Sequence, residues 1–432
     1  MARPNILYLH SHDTGRYIQP YGHAVETPAL QRFAEQSVLF RQAFCAAPTC
    51  SASRAALLFG RSAHSAGMLG LTNRGFWPSD YNGHLANTLK AGGYTTAVAG
   101  MQNVAPTTEM IGYDRILADM GATDTIRVDA AQRFLADPPQ PFFLSVGFTA
   151  THRDFPQPQP PDDPRFCKPP APLPDTPETR YDMAAFNTIA RQLDDCMGSV
   201  LAALDEAGLA DNTLVICTTD HGIAFPLMKC NMTDHGLAVM LMLRGPGIPE
   251  GGHVCNALVS QIDLYPTVCE IAGIDPPDCL EGKSLMPLLN GEADEINDAI
   301  FAGVTFHAAY EPMRAVRTRR WKYIRRFDDR GRCVLPNCDD SPSKDVLIAA
   351  GWADRPLAKE ELYDLTFDPN ETNNLVAAPA HAAILEDMRN RLAAWMKQTD
   401  DPLLAGPVTP PPTAQLNDPD GLSPGDPFII AP

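Results

Sequence analysis

An α/β fold, with a mainly parallel central sheet sandwiched by helices and a smaller C-terminal subdomain, is what this sequence predicts. Short apolar runs alternate with amphipathic helical stretches through roughly the first two thirds of the chain. The runs are apolar throughout rather than on every second residue, as strands covered on both faces require. After about residue 297 the pattern changes. The expected organisation is therefore a first domain over 1–296, a second over 297–400, and a proline-rich tail over 401–432.

Each element has its own signal. Ile6 to His10 reads as a buried strand, and Thr27-Pro28 supplies an N-cap and an N1 proline for a helix running through Phe33. Residues 95–100, 141–148, 213–219 and 239–243 read as further core strands. Helices are expected near 124–137 and 180–208, the second with an apolar stripe of Ile189, Leu193, Met197, Val200, Leu201 and Leu204. Residues 315–324 alternate like an edge strand. The tail is expected to wrap the surface or a partner subunit, which leaves a homo-oligomer open. In a sheet of this kind, functional residues gather at the carboxyl ends of the strands.

Composition narrows the function. A chain of 432 residues buries a large core and suggests two or three domain-sized units. Its net charge of −18 repels nucleic acid and polyanionic glycans, so an anionic substrate needs a locally basic pocket. Forty-one prolines fit a loop-rich enzyme better than a repeat or coiled coil. The eleven cysteines form no C-x-x-C pair and are odd in number, which fits reduced thiols in a cytoplasmic protein. The apolar run after Met1-Ala2-Arg3-Pro4 is too short for a signal segment, and nothing approaches a membrane span.

The densest chemistry lies between Cys50 and Arg61. A cysteine opens a helix-forming run, with Arg54 one turn on and Gly60-Arg61 closing it. A helix N-terminus offers unpaired N–H groups and positive dipole, which favour an anionic nucleophile or bound oxyanion. A lone cysteine is more often a small buried hydrophobe, so its company decides. The three residues between Cys50 and Arg54 are too few for a tyrosine-phosphatase loop. Elsewhere, His12-Asp13 follows the first strand and Asp220-His221-Gly222 follows another. Either pair alone reads equally as a loop carboxylate capping a helix. Two pairs together with Cys50 point to a metal.

The run from Cys50 resembles the activation motif of the type I sulfatases, C-x-P-S-R-x-x-x-L-x-G-R. Cys50, Ser53, Arg54, Leu58, Gly60 and Arg61 match it, and Ala52 replaces the proline. The resemblance implies the alkaline phosphatase-like fold and a Cys50 oxidised to formylglycine by a formylglycine-generating enzyme. It also implies one divalent metal ion on Asp13, Asp220, His221 and residue 50, with His12 standing where the family has a second aspartate. Calcium is the family default, while imidazole ligands favour Mn²⁺ or Zn²⁺. Lys229 takes the place of the cation that grips the sulfate, and His152 that of a histidine near the leaving group.

A second departure follows Gly100. The family's lysine and histidine in a G-K-x-H pattern are replaced by Gln102 and Asn103, which donate hydrogen bonds but carry no charge. Gly67 to Leu71, Phe142 to Arg153, Glu311 to Val316 and Leu362 to Leu375 resemble the sulfamidase branch more than the arylsulfatases. Residues 361–375 and a helix from about Ala380 to Gln398 resemble the family's C-terminal α+β subdomain. His307 and Arg314 are then candidates to face the rest of a small anionic sulfated substrate such as a sugar. The reading is a hydrolase of sulfate esters or sulfamates. A formylglycine-dependent phosphonate monoester or phosphodiester hydrolase stands as the alternative, and a non-catalytic binding protein with a decayed site as the second.

Overall fold

A computed structural model describes residues 3–429. The N-terminal part contains β1 (Asn5–His10), α1 (Pro28–Ala34), β2 (Val38–Phe44), α2 (Cys50–Phe59), α3 (Leu85–Ala91) and β3 (Thr95–Gly100). It continues through β4 (Arg115–Ala118), α4 (Asp124–Leu135), β5 (Phe142–Gly147), α5 (Pro177–Glu206) and β6 (Thr213–Thr218). The short α6 (Asp234–Leu237), β7 (Leu241–Arg244), β8 (His253–Ser260), α7 (Leu264–Ala272) and α8 (Met286–Leu289) complete it. Eight strands form one sheet in the order β4-β3-β5-β1-β6-β7-β2-β8. Every pairing is parallel except those of β7, which runs against both β6 and β2. No helix among the described residues is long and apolar enough to cross a membrane.

The sheet is covered on both faces, as its continuous apolar strands require. One core joins it to α1, α4 and α5 through Leu30, Phe33, Phe134, Leu193 and Val200. The other joins it to α2, α3 and α7 through Leu58, Leu89 and Val268, and runs on into the C-terminal sheet at Ala302 and Ala315. The expected helix at 180–208 begins at Pro177, because Thr176 and Thr179 form a capping box around an N1 proline. The strand expected at 239–243 starts two residues later. Strands β2, β4 and β8 carry no uniform apolar run: Arg41 is exposed inside β2, and β8 begins with exposed residues. Only their second halves or sheet neighbours betray them.

The C-terminal part holds β9 (Ile300–Phe306), β10 (Tyr310–Arg317), β11 (Trp321–Arg326), α9 (Pro342–Ala349), β12 (Glu360–Asp364) and α10 (Ala382–Gln398). Its antiparallel sheet has the order β12-β11-β10-β9. Residues 315–324 are therefore not one edge strand. They are the facing halves of two central strands, β10 and β11, with Val316 opposite Tyr323. Alternation was real, but Thr318-Arg319-Arg320 is a turn that the alternation hides. The tail carries a small hairpin of β13 (Leu416–Asn417) and β14 (Phe428–Ile429). It wraps its own chain: Arg74 Nη1 donates to Asn417 Oδ1 at 2.8 Å, and Asn417 N donates to Ala308 O at 2.8 Å.

Two buried ion networks fasten the C-terminal part. Arg314 is 1% exposed and gives its guanidinium to Asp401 at 2.5 and 3.0 Å and to the carbonyl of Val304. Around α6, Lys322 Nζ lies 2.5 Å from Asp234 and 3.1 Å from Glu371. Removing one partner of such a pair leaves an uncompensated buried charge, at a cost of about 3–5 kcal/mol.

Glu371 makes the second network pH-sensitive. Burial raises its carboxyl, Lys322 pulls it back and Asp234 pushes it up again, leaving it at about 7 against an ordinary 4.5. The folded chain thus holds a proton that the unfolded chain gives up. Stability from this group is present at low pH and falls as pH rises from about 4.5 through about 7. Glu371→Gln, neutral throughout, should flatten that part of the pH profile of the urea midpoint. An unchanged slope would refute the assignment.

Candidate active site

Three neighbouring parallel strands deliver the site. His12 and Asp13 follow β1, His152 follows β5, and Asp220 and His221 follow β6, all beyond the carboxyl ends of their strands. Cys50 is the first residue of α2, after an extended Thr49. The helix ends at Gly60, whose φ of 64° suits glycine and where a Cβ would lie 2.8 Å from Leu280 and 2.9 Å from Tyr265. Close packing of that end against α7 fixes where the other end presents residue 50.

Donor atoms of His12, Asp13, Cys50 and Asp220 all lie within 4.8 Å of one another, and all four residues are buried. His12 Nδ1 is 2.8 Å from Asp13 Oδ1 and 3.5 Å from Asp220 Oδ2, and Cys50 Sγ is 3.8 Å from Asp13 Oδ1. Two buried carboxylates, an imidazole and an acceptor at position 50 suit a cation of mixed nitrogen and oxygen preference. His221 stands at the margin of this group. Its Nδ1 faces the carbonyl of Gly222 at 2.9 Å, and its Nε2 lies 3.1 Å from Asp13 Oδ1 and 3.4 Å from Cys50 Sγ.

Arg54 supports the ligands rather than touching the nucleophile. Its Nη2 donates to Asp220 Oδ2 at 3.0 Å and to Ser11 O at 2.8 Å, and Nη1 meets His10 Nδ1 at 2.6 Å. Burial and Arg54 hold His10 well below its usual value, so it is neutral and accepts from Arg54 at Nδ1. Ser53 Oγ donates to the Asp220 carbonyl at 2.5 Å, and Gln261 Nε2 donates to Thr219 O at 2.6 Å. The serine and arginine of the motif therefore hold the far metal-side carboxylate in place.

Lys229 reaches the centre. Its Nζ lies 2.8 Å from Asp13 Oδ2, 3.0 Å from Asp339 Oδ2 and 3.5 Å from His152 Nε2. Burial alone would raise the Cys50 thiol. Lys229, His12 and His221 outweigh burial and hold it well below the ordinary range. The site is built to keep an anion at position 50. His152 is held down by burial and by Lys229, its Nδ1 faces the Arg153 carbonyl, and its Nε2 is left as an acceptor. It becomes a proton donor only after taking a proton, which an incoming anion favours. The loop that carries it is fixed by Asp124, which accepts from the N–H groups of Thr149 at 2.9 Å and Ala150 at 3.0 Å.

Two of the four substrate-facing candidates are engaged elsewhere in the fold. Gln102 is 3% exposed, and its carboxamide closes its own loop onto the N–H groups of Val104 and Ala105 and the carbonyl of Ala105. It has nothing left for a sulfate. Arg314 is consumed by Asp401, as described above. His307 stays at the site, its ring beside Cys50, and its Nδ1 is buried without a partner among the described residues. Asn103 adopts φ 51° and accepts from Thr72 through its carbonyl, which leaves its carboxamide without a partner among the described residues. Asp339 was invisible in the sequence. It lies in the connection between β11 and α9, outside any motif, and Lys229 with His307 and His152 outweighs burial to set its carboxyl at about 2.

A mostly parallel sheet with an acidic, histidine-bearing centre at its strand ends and an anion-stabilised residue at a helix start is the arrangement of a hydrolase of the alkaline phosphatase type. The sulfatase family model matches residues 4–274, and the model for the N-sulphoglucosamine sulphohydrolase C-terminal region matches residues 225–345. The chain belongs to the sulfatase family. It is 32% identical to human (Homo sapiens) N-sulphoglucosamine sulphohydrolase over 94% of this chain and 92% of that one. Among solved structures, a 2-O GAG sulfatase superposes with a TM-score of 0.72 at 22% identity, covering 98% of this chain and 99% of that one. A second, solved with its substrate D-glucosamine-2-N,6-O-disulfate, gives 0.69 at 18% identity over 94% and 99%.

Lys229 is the first cation holding Cys50 down, so Lys229→Met should return the thiol toward its ordinary pKa. In unmodified protein this is read as thiolate ultraviolet absorbance against pH, with Cys50→Ser as the blank. An unshifted titration would remove Lys229 from the anion site.

Proposed function

We propose that this chain hydrolyses a sulfate ester or a sulfamate, with Cys50 converted to formylglycine by a modifying enzyme and hydrated to a geminal diol. The observation that carries this is the convergence of Lys229, His12 and His221 on position 50, which is organised to stabilise negative charge there. One hydroxyl oxygen of residue 50 attacks the sulfur while the bond from sulfur to the leaving oxygen or nitrogen breaks. Lys229 neutralises the sulfuryl oxygens, and His152 Nε2, once protonated, delivers its proton to the leaving atom. Loss of the second hydroxyl proton then expels sulfate and restores the aldehyde, which water rehydrates.

The residues present fit a divalent cation. His12, Asp13, Asp220 and residue 50 would hold it, and it would supply Lewis acidity and charge neutralisation at the nucleophile. Arg54 positions Asp220 from behind. Human N-sulphoglucosamine sulphohydrolase matches over nearly its whole length, which favours sulfamate and a sulfated amino sugar over a phosphonate ester.

Mass spectrometry of the peptide carrying residue 50 should show the aldehyde in active protein, and Cys50→Ala should lose turnover entirely. Parallel assays with aryl sulfate, sulfamate and phosphonate monoester should favour the sulfur substrates. Full activity in Cys50→Ala would sink the mechanism. Elemental analysis of protein purified without added metal tests the ligand set: His12 predicts Mn²⁺ or Zn²⁺, and His12→Asp should move the preference toward Ca²⁺. Stoichiometric calcium in the unaltered chain would count against His12 as a ligand.

A further inference from the structure

We infer that a groove of about 1010 Å³, formed where the loop after β1 meets the β10–β11 turn, binds a glycan chain bearing sulfate or carboxylate groups. Five arginines line it: Arg16, Arg41, Arg317, Arg319 and Arg320. Asp234 is the one carboxylate among the lining residues, and it is already engaged by Arg317 at 2.9 Å and Lys322 at 2.5 Å. A chain of net charge −18 has gathered positive charge on this one face. Clustered cations repel one another, and an anionic ligand relieves that repulsion.

The arginines differ in how free they are. Arg41 is exposed and has no acidic partner among the described residues. Arg16 donates from Nη1 to the Arg41 carbonyl at 2.6 Å and makes no salt bridge among the described residues, Asp234 being the carboxylate whose charge it feels. Arg319 and Arg320 pair with Glu295 and Asp364, yet both remain more than half exposed, at 61% and 52%. Those faces are available to a ligand; the Arg319–Glu295 pair is a weak surface one, while Arg320 is held two-pronged by buried Asp364 with its outer side open. Planar guanidinium forks suit sulfate and carboxylate oxygens in two-bond contacts. Exposed Gln19, Asn256 and Thr366 line the same groove and offer partners for sugar hydroxyls.

A nucleic acid fits less well. Stacking of bases needs open aromatic faces. Tyr17 is buried against His23, with ring centroids 4.2 Å apart, and the Tyr21 hydroxyl is tied to the carbonyls of Phe40 and Leu241. The choice of a glycan over other anions rests on the sulfatase reading above. The groove itself does not, because none of its five arginines belongs to the catalytic centre.

The test uses the full chain and fluorescence anisotropy with a labelled heparin oligosaccharide, beside a single-stranded oligonucleotide of equal charge. Arg41→Glu should weaken heparin binding by about tenfold, the loss expected for a charged hydrogen-bonding contact. Arg165→Glu makes the same change in net charge away from the groove and should leave affinity unaltered. Absence of heparin binding in the unaltered chain, equal losses in both variants, or oligonucleotide binding as tight as heparin would each overturn the proposal. The Cys50→Ala chain separates the two readings. If it binds heparin through Arg41 while the unaltered chain turns over no sulfate, the hydrolase reading fails alone; turnover without heparin binding fails the groove alone.

Discussion

Asp13 and Asp220 stand beyond the ends of neighbouring strands β1 and β6, both buried, with the backbone N–H of Asp13 donating to Asp220 Oδ1 at 2.8 Å. Two carboxylates this close and this dry are tolerable only if cations surround them. Nearly every other feature of the site follows. Arg54 reaches back from α2 to one carboxylate, and Lys229 reaches in from the loop after β6 to the other. His12 and His221 are pulled upward against the penalty of burial, His12 to about 9. The same field that restrains the carboxylates lowers the Cys50 thiol. Stabilising two acids and preparing a nucleophile are thus one electrostatic arrangement.

That arrangement explains which parts of the site could be read from the chain. Residues placed by a strand end or a helix start were visible, because the element that carries them leaves a pattern: His12 and Asp13 after β1, Asp220 after β6, Cys50 at the head of α2. Arg54 was visible too, but its target was not. It serves Asp220, Ser11 and His10, and reaches residue 50 only through them. Asp339 had no pattern at all, since it depends on how the segment between β11 and α9 lies across the N-terminal part. Gln102 was misplaced for a related reason. A carboxamide in a loop looks free until the loop closes on it, and Val104 and Ala105 claim both of its ends.

The fold shows the same division. Strands β1, β3, β5 and β6, buried on both faces and apolar at most positions, could be read almost to the residue. Strands β2 and β8 lie at the far side of the sheet, where Arg41 and the first half of β8 meet solvent, so periodicity does not mark them. The turn at 318–320 escaped because β10 and β11 alternate in step across it. Arg314 was read as a substrate contact from its place in a family-like run. Its neighbours in the fold are Asp401 and the β9 backbone, and no local pattern announces a partner 87 residues away.

The charge count at the centre bears on how a sulfate could enter. Asp13, Asp220 and Asp339 are three carboxylates, and Arg54 and Lys229 are the two permanent cations that contact them. Without further positive charge the centre opposes an anion. The cationic pair that the resemblance to the sulfatases leads one to expect after the third strand is replaced here by neutral Gln102 and Asn103. What remains is protonation of His12 and His221, or a divalent cation held by His12 with Asp13 and Asp220. A proton and a metal would compete for the His12 imidazole, and the metal would bring more charge to fewer atoms. A centre without two cationic side chains would therefore lean harder on a bound divalent cation for substrate affinity than a centre that has them.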